Sequence, residues 1–456
     1  MTNTSCAPNR SSRRRISRRR FLRYAGLAGL VLLSGRAAVP LFESRSNQAD
    51  ADQTHEVYLP LIAKVPPIPP LSPELVQEAY QFYSLGDPVS PDSLRFQFKS
   101  NLNNPDQPPI IFARDPGSNK AILATRFNPE TEEQEWHVSK IRDLADAMGI
   151  KVGAQLSYPH IPYAVRQEID RQVTDSYNAA IILWSAWVFT EPEPGVFTFD
   201  KANAAIDLAE NNNMTIRGDH LVYGFSNFQY TYLKDLNNPT RDELISIINR
   251  HIVHLMAEFR GKVDLWTVVN EARLPEELNP EETGPYDPFW AIIGPDYVDI
   301  AFQTARETDP EAILLYNETR NHQSTGLDGR LTELTKTIVN RLAGRGLIDG
   351  VGVQMQLDGS RPLDIPDLIQ TLRSYGLPVY ITELYVDMSN VEETPEERLR
   401  IQAGIYRNAV QTALESGVCK DIYFFDDYAL FDPNSLNPTT SYLAAVDGLT
   451  NQLDSQ

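Results

Sequence analysis

The chain has 456 residues, 42% hydrophobic and 22% charged, which is ordinary globular usage and enough for one large enzyme domain with additions. Its 41 Lys and Arg against 61 Asp and Glu give a net charge of −20, a poor match for nucleic acid or an anionic membrane surface. Two cysteines, Cys6 and Cys419, cannot build a disulfide scaffold or a thiolate metal cluster, and the composition also excludes collagen, a disordered chain and a multispan membrane protein.

Residues 1–38 hold nine arginines and no acid, so the remainder carries 32 basic against 61 acidic residues, a net of −29. Within this leader, Arg18-Arg19-Arg20-Phe21-Leu22-Arg23 precedes an apolar run from Tyr24 to Leu33. A basic region, a short apolar region and small residues near Gly35 to Ala38 form an export signal, and the Arg-Arg-x-Phe-Leu order is of the twin-arginine type. The apolar run falls short of the roughly 20 residues that span a bilayer. Export would separate Cys6 from Cys419 and leave a single thiol. Residues 39–73 read as a tether stiffened by prolines. Residues 74–142 form a lead-in with candidate strands at 94–98, 110–112 and 121–127. They are consistent with a small β-module or with packing under the main domain.

From residue 143 to 454 a regular rhythm takes over. Short runs rich in β-branched and aromatic residues fall at 151–156, 179–184, 214–223, 263–270, 313–317, 351–357, 379–384 and 421–425. Helical patterns lie between them at 200–211, 241–259, 296–307, 329–342, 367–375 and 396–415. Each crossover is long enough to return the chain for a parallel strand. Eight such units predict an α/β fold, a (β/α)8 TIM barrel. A doubly wound open sheet is the alternative, but no Gly-rich phosphate loop follows any run.

Barrel enzymes place their chemistry at the C-terminal ends of strands, where an acid closing an apolar run stands out. Val268-Val269-Asn270-Glu271 ends the fourth run and Tyr380-Ile381-Thr382-Glu383 ends the seventh. In a closed barrel these two side chains would meet across the mouth. Paired carboxyls suit glycoside hydrolysis, one donating a proton to the leaving oxygen and the other attacking the anomeric carbon. The bland reading of either glutamate alone is a helix cap or an ion pair.

Trp266-Thr267-Val268-Val269-Asn270-Glu271-Ala272 resembles the acid/base motif of glycoside hydrolase family 10, the endo-β-1,4-xylanase family. Ile381-Thr382-Glu383-Leu384 resembles its nucleophile motif. Thr190-Glu191-Pro192, Gly195, Phe197 to Phe199, Arg217-Gly218, Leu221-Val222 and Gly350 to Gln354 match in order. The resemblance implies that Glu271 is the general acid/base and Glu383 the nucleophile. It implies further that Asn270 bonds the sugar 2-hydroxyl and that Gln354 holds sugar or orients Glu383. Gln354 also fits a buried amide serving the backbone.

The departures lie around this core. The family's sugar-binding Lys is Ala186, followed by Trp187. The family's His on the third strand aligns with Asp219, with His220 one place later, and its Trp is Tyr223. The His after Gln354 is Gln356. Tyr423 and Phe431 stand where the family has sugar-stacking tryptophans. Trp187, Asp219, His220, Tyr223, Gln356, Tyr423 and Phe431 are therefore the candidate sugar-holding residues, and rim packing is the bland reading of the aromatic ones. Two functions follow: a retaining glycosidase acting on xylan or a related β-1,4-glycan, or a glycan-binding or surface adhesion protein with little activity. The resemblance implies no cofactor and a polysaccharide or oligosaccharide partner; the leader and tether imply secretion or display at the cell surface, and a monomer is expected. His251-x-x-His254 has metal-compatible spacing but falls on an exterior helix where packing is expected. The Glu-rich stretches 130–135 and 392–397 read as solvated faces or helix starts, and Asp426 as a cap beside Asp427.

Overall fold

The structure is a computed structural model that describes residues 68–128, 131–272, 287–323, 325–426 and 428–455. The leader, all but the end of the proline tether, and Asp427 lie outside the described residues. Among the described residues no helix is long and apolar enough to cross a membrane.

The lead-in is a four-stranded antiparallel sheet made of β1 (Arg95–Lys99), β2 (Ile110–Arg114), β3 (Ala121–Asn128) and β4 (Glu133–Val138). Three strands fall on the expected runs, while β4 falls on a stretch expected to be a solvated face or helix start. Its glutamates explain the miss. Glu133 and Glu135 take the exposed places of an alternating strand, and Trp136 packs inward and donates to the Pro69 carbonyl at 2.9 Å. The sheet shares its core with the barrel. Phe112 and Leu123 join one continuous apolar cluster with Ile141, Leu144 and Tyr442. Arg114 grips Asp454 with two hydrogen bonds, of 2.7 and 3.3 Å, and Lys120 pairs with Asp447 at 2.5 Å. Both acids lie on the last helix, Thr440–Ser455.

The barrel strands are β5 (Lys151–Gln155), β6 (Ala179–Ile182), β7 (Thr215–Gly218), β8 (Leu265–Asn270), β9 (Ile313–Thr319), β10 (Gly350–Gln354), β12 (Val379–Asp387) and β13 (Cys419–Phe424), with a short β11 (Gln356–Asp358) beside the end of β12. All pairs are parallel, and β13–β5 and β10–β12 pairing closes the ring. This is the expected (β/α)8 barrel. All six predicted helices form, each within a few residues of its expected bounds. Their starts are set by capping, as at Thr240, whose hydroxyl accepts from the Glu243 N–H while Glu243 reaches back to the Thr240 N–H. Helix Tyr163–Ser176 was not expected, because its sequence is mostly polar and only Ile169 and Val173 mark a core stripe.

Large side chains from neighbouring strands fill the barrel, and glycine makes the room. A Cβ on Gly218 would lie 2.4 Å from the Trp266 ring, and one on Gly153 would lie 2.7 Å from Tyr423. Two of the expected runs are cut short at the barrel mouth. The run 214–223 is strand only to Gly218, and the run 179–184 turns into a 3-10 turn at Leu183–Ser185. These interruptions shape the site.

Because sheet and barrel share one core, Phe112→Ala is expected to cost about 3–5 kcal/mol and to lower a single thermal transition of the whole unit. Calorimetry resolving two transitions, with only one shifted, would show instead that the sheet folds separately.

Candidate active site

The two strands that carry the singled-out glutamates are also irregular ones. In β8 the register against β9 slips between Thr267 and Val269, and in β12 the register against β13 slips between Ile381 and Leu384. An extra residue in one strand re-aims the side chains beyond it. Glu271 follows directly after β8 with φ of 53°, and its N–H donates to the Asn317 carbonyl at 2.9 Å. Glu383 sits within β12 and is only 8% exposed. Both carboxyls thus leave regular strand geometry at the C-terminal end of the barrel.

A chain of amides joins them from behind. The Thr382 hydroxyl donates to Asn317 Oδ1 at 2.6 Å, and Asn317 Nδ2 donates to Asn270 Oδ1 at 2.7 Å. Gln354 Nε2 donates to that same oxygen at 3.2 Å and to Glu271 Oε1 at 2.8 Å. The Tyr223 hydroxyl donates to the other Glu271 oxygen at 3.0 Å. On the opposite carboxyl, Gln356 Nε2 donates to Glu383 Oε2 at 2.9 Å. Gln354 therefore orients Glu271 rather than Glu383, and it is Gln356 that holds Glu383.

Charge is concentrated under Glu383. Arg217, completely buried, donates to the Thr382 carbonyl at 2.9 Å and pairs with Asp219 at 3.2 Å, its guanidinium lying 4.8 Å from the centre of the Tyr423 ring. Burial raises the Asp219 carboxyl, but Arg217 and His220 outweigh it and hold the group well below the usual carboxylate range. Burial first, and then the negative charges of Asp219 and Glu271, push Glu383 up to about 8, against weaker pulls from Arg217 and Gln356.

The candidate sugar-holding residues divide into two sets. Asn270, Gln354, Gln356, Asp219, His220 and Tyr223 gather round the two carboxyls, with the His220 ring edge-on to Tyr223 at 5.0 Å. Because β7 ends at Gly218, strand alternation does not decide where Asp219 and His220 face. Trp187, Tyr423 and Phe431 correct the expectation of sugar contact. Trp187 is fully buried and stacked on His251 with ring centres 3.9 Å apart. Tyr423 is fully buried in the barrel under Arg217, and Phe431 is 2% exposed against Tyr442. None of the three offers a ring face to a sugar.

His251 and His254 do not meet at a metal. Buried His251 bonds Glu191 at 2.9 Å through Nδ1, and His254 stacks on Phe197. Asp426 caps a turn by accepting from the Tyr428 and Leu430 N–H groups. Among the described residues no group of three His, Cys, Asp or Glu could hold a metal ion. Sequence reasoning missed Asn317 and gave Arg217 no role. The signal was present in both cases, since each is a polar residue in a buried barrel strand.

Comparison with known proteins matches residues 140–441 to the model of glycosyl hydrolase family 10. The chain is 30% identical over 256 residues to a β-1,4-xylanase of Dictyoglomus thermophilum, covering 53% of this chain and 69% of that one. It is 31% identical over 258 residues to an endo-1,4-β-xylanase A of Humicola insolens, covering 55% and 64%. Xylanase 10B of Thermotoga petrophila RKU-1, solved in complex with xylobiose, superposes with a TM-score of 0.60 at 25% identity, over 69% of this chain and 98% of that one. Fold and sequence together define a barrel glycoside hydrolase. The chain belongs to glycosyl hydrolase family 10.

The raised Glu383 carboxyl has a thermodynamic consequence. A group whose folded pKa lies above its unfolded value stabilises fully below the unfolded pKa and loses that contribution as pH rises through the folded one. Here the window runs from 4.5 to about 8. Glu383→Gln cannot ionise, so its melting temperature should gain on that of the native chain between about pH 5 and about pH 9. A difference in melting temperature that is the same at both pH values would contradict the burial of an ionising carboxyl there.

Proposed function

We propose that this enzyme cleaves β-1,4-linked xylan or a related hemicellulose with retention of configuration, Glu271 serving as acid/base and Glu383 as nucleophile. The observation that carries the proposal is the meeting of two strand-end carboxyls at one end of the barrel, each held by its own amide. Glu383, pushed up to about 8 by burial and by its acidic neighbours, keeps a proton over the neutral range. When a glycan fills the cleft, that proton is needed on Glu271, beside the leaving oxygen, and Glu383 then attacks the anomeric carbon as the anion. The bond from the anomeric carbon to the leaving oxygen breaks as the bond to Glu383 forms, and the proton goes to the departing sugar. Glu271, now a carboxylate, removes a proton from water, which displaces Glu383 from the sugar and restores both groups.

The surroundings fit these roles. Gln354 and Tyr223 fix both oxygens of Glu271, and a fixed proton donor loses little on reaching the transition state. With Asn270 Oδ1 taken by Asn317 and Gln354, its Nδ2 is the end that meets a sugar hydroxyl. Xylan is the substrate class that the names of the relatives support, and xylobiose was bound to the Thermotoga petrophila protein. A glycan-holding protein without turnover needs stacking surfaces, and burial of Trp187, Tyr423 and Phe431 removes three of them. That weighs toward catalysis. Secretion by the arginine-rich leader, and action as a monomer, belong to the same proposal.

Glu271→Ala is expected to lower kcat/KM on xylan by about 10²–10⁴, and Glu383→Ala to abolish turnover of xylan and of aryl β-xylosides. Equal rates in the two variants and the native chain would sink the assignment. The first product released should be the β-anomer by NMR, and the α-anomer would replace retention with inversion. Activity against xylans, arabinoxylans, glucans and mannans tests the substrate class. The kcat/KM profile should fall as pH rises through about 8, where Glu383 gives up the proton that the site holds.

A further inference from the structure

A second cavity opens beside the mouth of the barrel, between helix Tyr163–Ser176 and helix Asp200–Asn211, with a volume of about 800 Å³. Its charge is opposite to that of the whole chain. Arg166, Arg171 and Lys201 line it, against a single carboxylate, Asp170. Asp170 is already engaged, its two oxygens accepting from the Ser157 N–H at 2.6 Å and the Ser157 hydroxyl at 2.9 Å. Arg171 pairs with Glu168 outside the cavity. Arg166 donates to the Tyr158 carbonyl at 3.4 Å and pulls on the Asp170 carboxyl, but among the described residues neither Arg166 nor Lys201 forms an ion pair, so the lining keeps an excess of positive charge for a ligand.

The walls add aromatic surface. Tyr163 is 65% exposed, and the Arg166 guanidinium lies 5.5 Å from its ring centre. Trp184 forms the floor, tied to the Ser157 carbonyl at 2.5 Å through Nε1, with Lys201 Nζ 4.3 Å from its ring centre. Stacking on Trp184 keeps the Lys201 ammonium over the cavity floor, and Arg166 is placed in the same way by Tyr163. An exposed ring, a polar wall and two placed cations match a pyranose that carries a carboxylate.

The position of this cavity relates it to the catalytic end. Trp184 and Ser185 are neighbours in the 3-10 turn Leu183–Ser185 that follows β6. While Trp184 floors the cavity, the Ser185 hydroxyl accepts from the Asp219 N–H at 2.9 Å and donates to the Asp219 carbonyl at 3.1 Å. The cavity and the carboxyl pair are thus served by one short turn.

We infer that this cavity is a second glycan site, selective for uronate-bearing polysaccharide, separate from the cleft that contains Glu271 and Glu383. Tyr163 stacks on the sugar and Arg166 with Lys201 hold its carboxylate. The choice of a saccharide ligand rests on the proposed function, but occupancy of the site does not require turnover.

The test measures binding on the full chain carrying Glu383→Gln, which keeps the cleft and cannot turn over by the proposed route. Affinity electrophoresis and calorimetry would compare glucuronoxylan with unsubstituted xylan, using Arg166→Ala/Lys201→Ala and Tyr163→Ala in the same background. The expected result is tighter binding of glucuronoxylan, weakened about tenfold or more by the double variant, while binding of unsubstituted xylan and the melting temperature stay unchanged. Equal affinity for the two xylans, or no loss in either variant, overturns the site. Displacement of glucuronoxylan by inorganic phosphate as readily as by glucuronate overturns the saccharide assignment in favour of a simple anion pocket. Uronate-dependent binding in a chain whose native form cleaves no xylan would leave this site standing and remove the proposed function.

Discussion

A carboxyl group at Glu383 is buried where two other carboxyls face it, and the catalytic end of the barrel is arranged around that cost. Water cannot solvate the charge, and Asp219 and Glu271 oppose it. The answering positive charge is Arg217, which rises through the barrel interior and touches both Asp219 and the carbonyl before Glu383. Its own burial is made tolerable by the ion pair with Asp219 and by the face of Tyr423. Remove Arg217 and, among the described residues, Asp219 would keep only His220 as a basic partner. The glycine at 218 belongs to the same arrangement, because only a residue without a Cβ lets Trp266 lie across that strand beside Arg217.

The second constraint is geometric. Two carboxyls proposed to act on one bond must keep a fixed spacing while standing on strands that are not neighbours. Asn317 supplies the brace. It lies on β9, donates to Asn270 next to Glu271, and accepts from Thr382 next to Glu383. Each glutamate is therefore positioned through the residue before it. The strand bulges in β8 and β12 free the glutamates from the alternating pattern, and the brace fixes where they go. A mobile pair in the same positions would have equal charge and less use for it. Substitution of the family's usual residues at Asp219, Tyr223 and Gln356 leaves this brace intact, since none of them belongs to it.

Much of this was legible in the amino-acid order, for a physical reason. Fully buried parallel strands must be apolar throughout, so eight short runs stood out, and an acid at the end of one was an anomaly. Glu271 and Glu383 were found by that contrast. The same contrast was present at Asn317 and Arg217 but was applied only to acids. What sequence could not convey is which side of a residue faces the cleft. Trp187, Tyr423 and Phe431 occupy positions suited to sugar contact, and all three are consumed by packing. Whether an aromatic ring serves a ligand or a core depends on neighbours from distant segments, such as His251 beneath Trp187. Strand β4 failed for a related reason. Its glutamates describe its solvent face and say nothing of the partner strand that makes it a strand.

The net charge of −20 takes on a different meaning once the fold is known. Surface acid favours solubility, yet it also repels an acidic polysaccharide at long range. That repulsion decays over about 10 Å in ordinary salt, so it discourages approach without deciding what binds at contact. Contact is decided by local charge, and the cavity between the two helices collects Arg166 and Lys201 with no matching free acid. Aromatic rings hold both cations over that cavity instead of leaving them to pair with the surrounding acids. An acidic protein can in this way keep a selective grip on an acidic sugar, at a cavity whose lining reverses the sign of the whole chain.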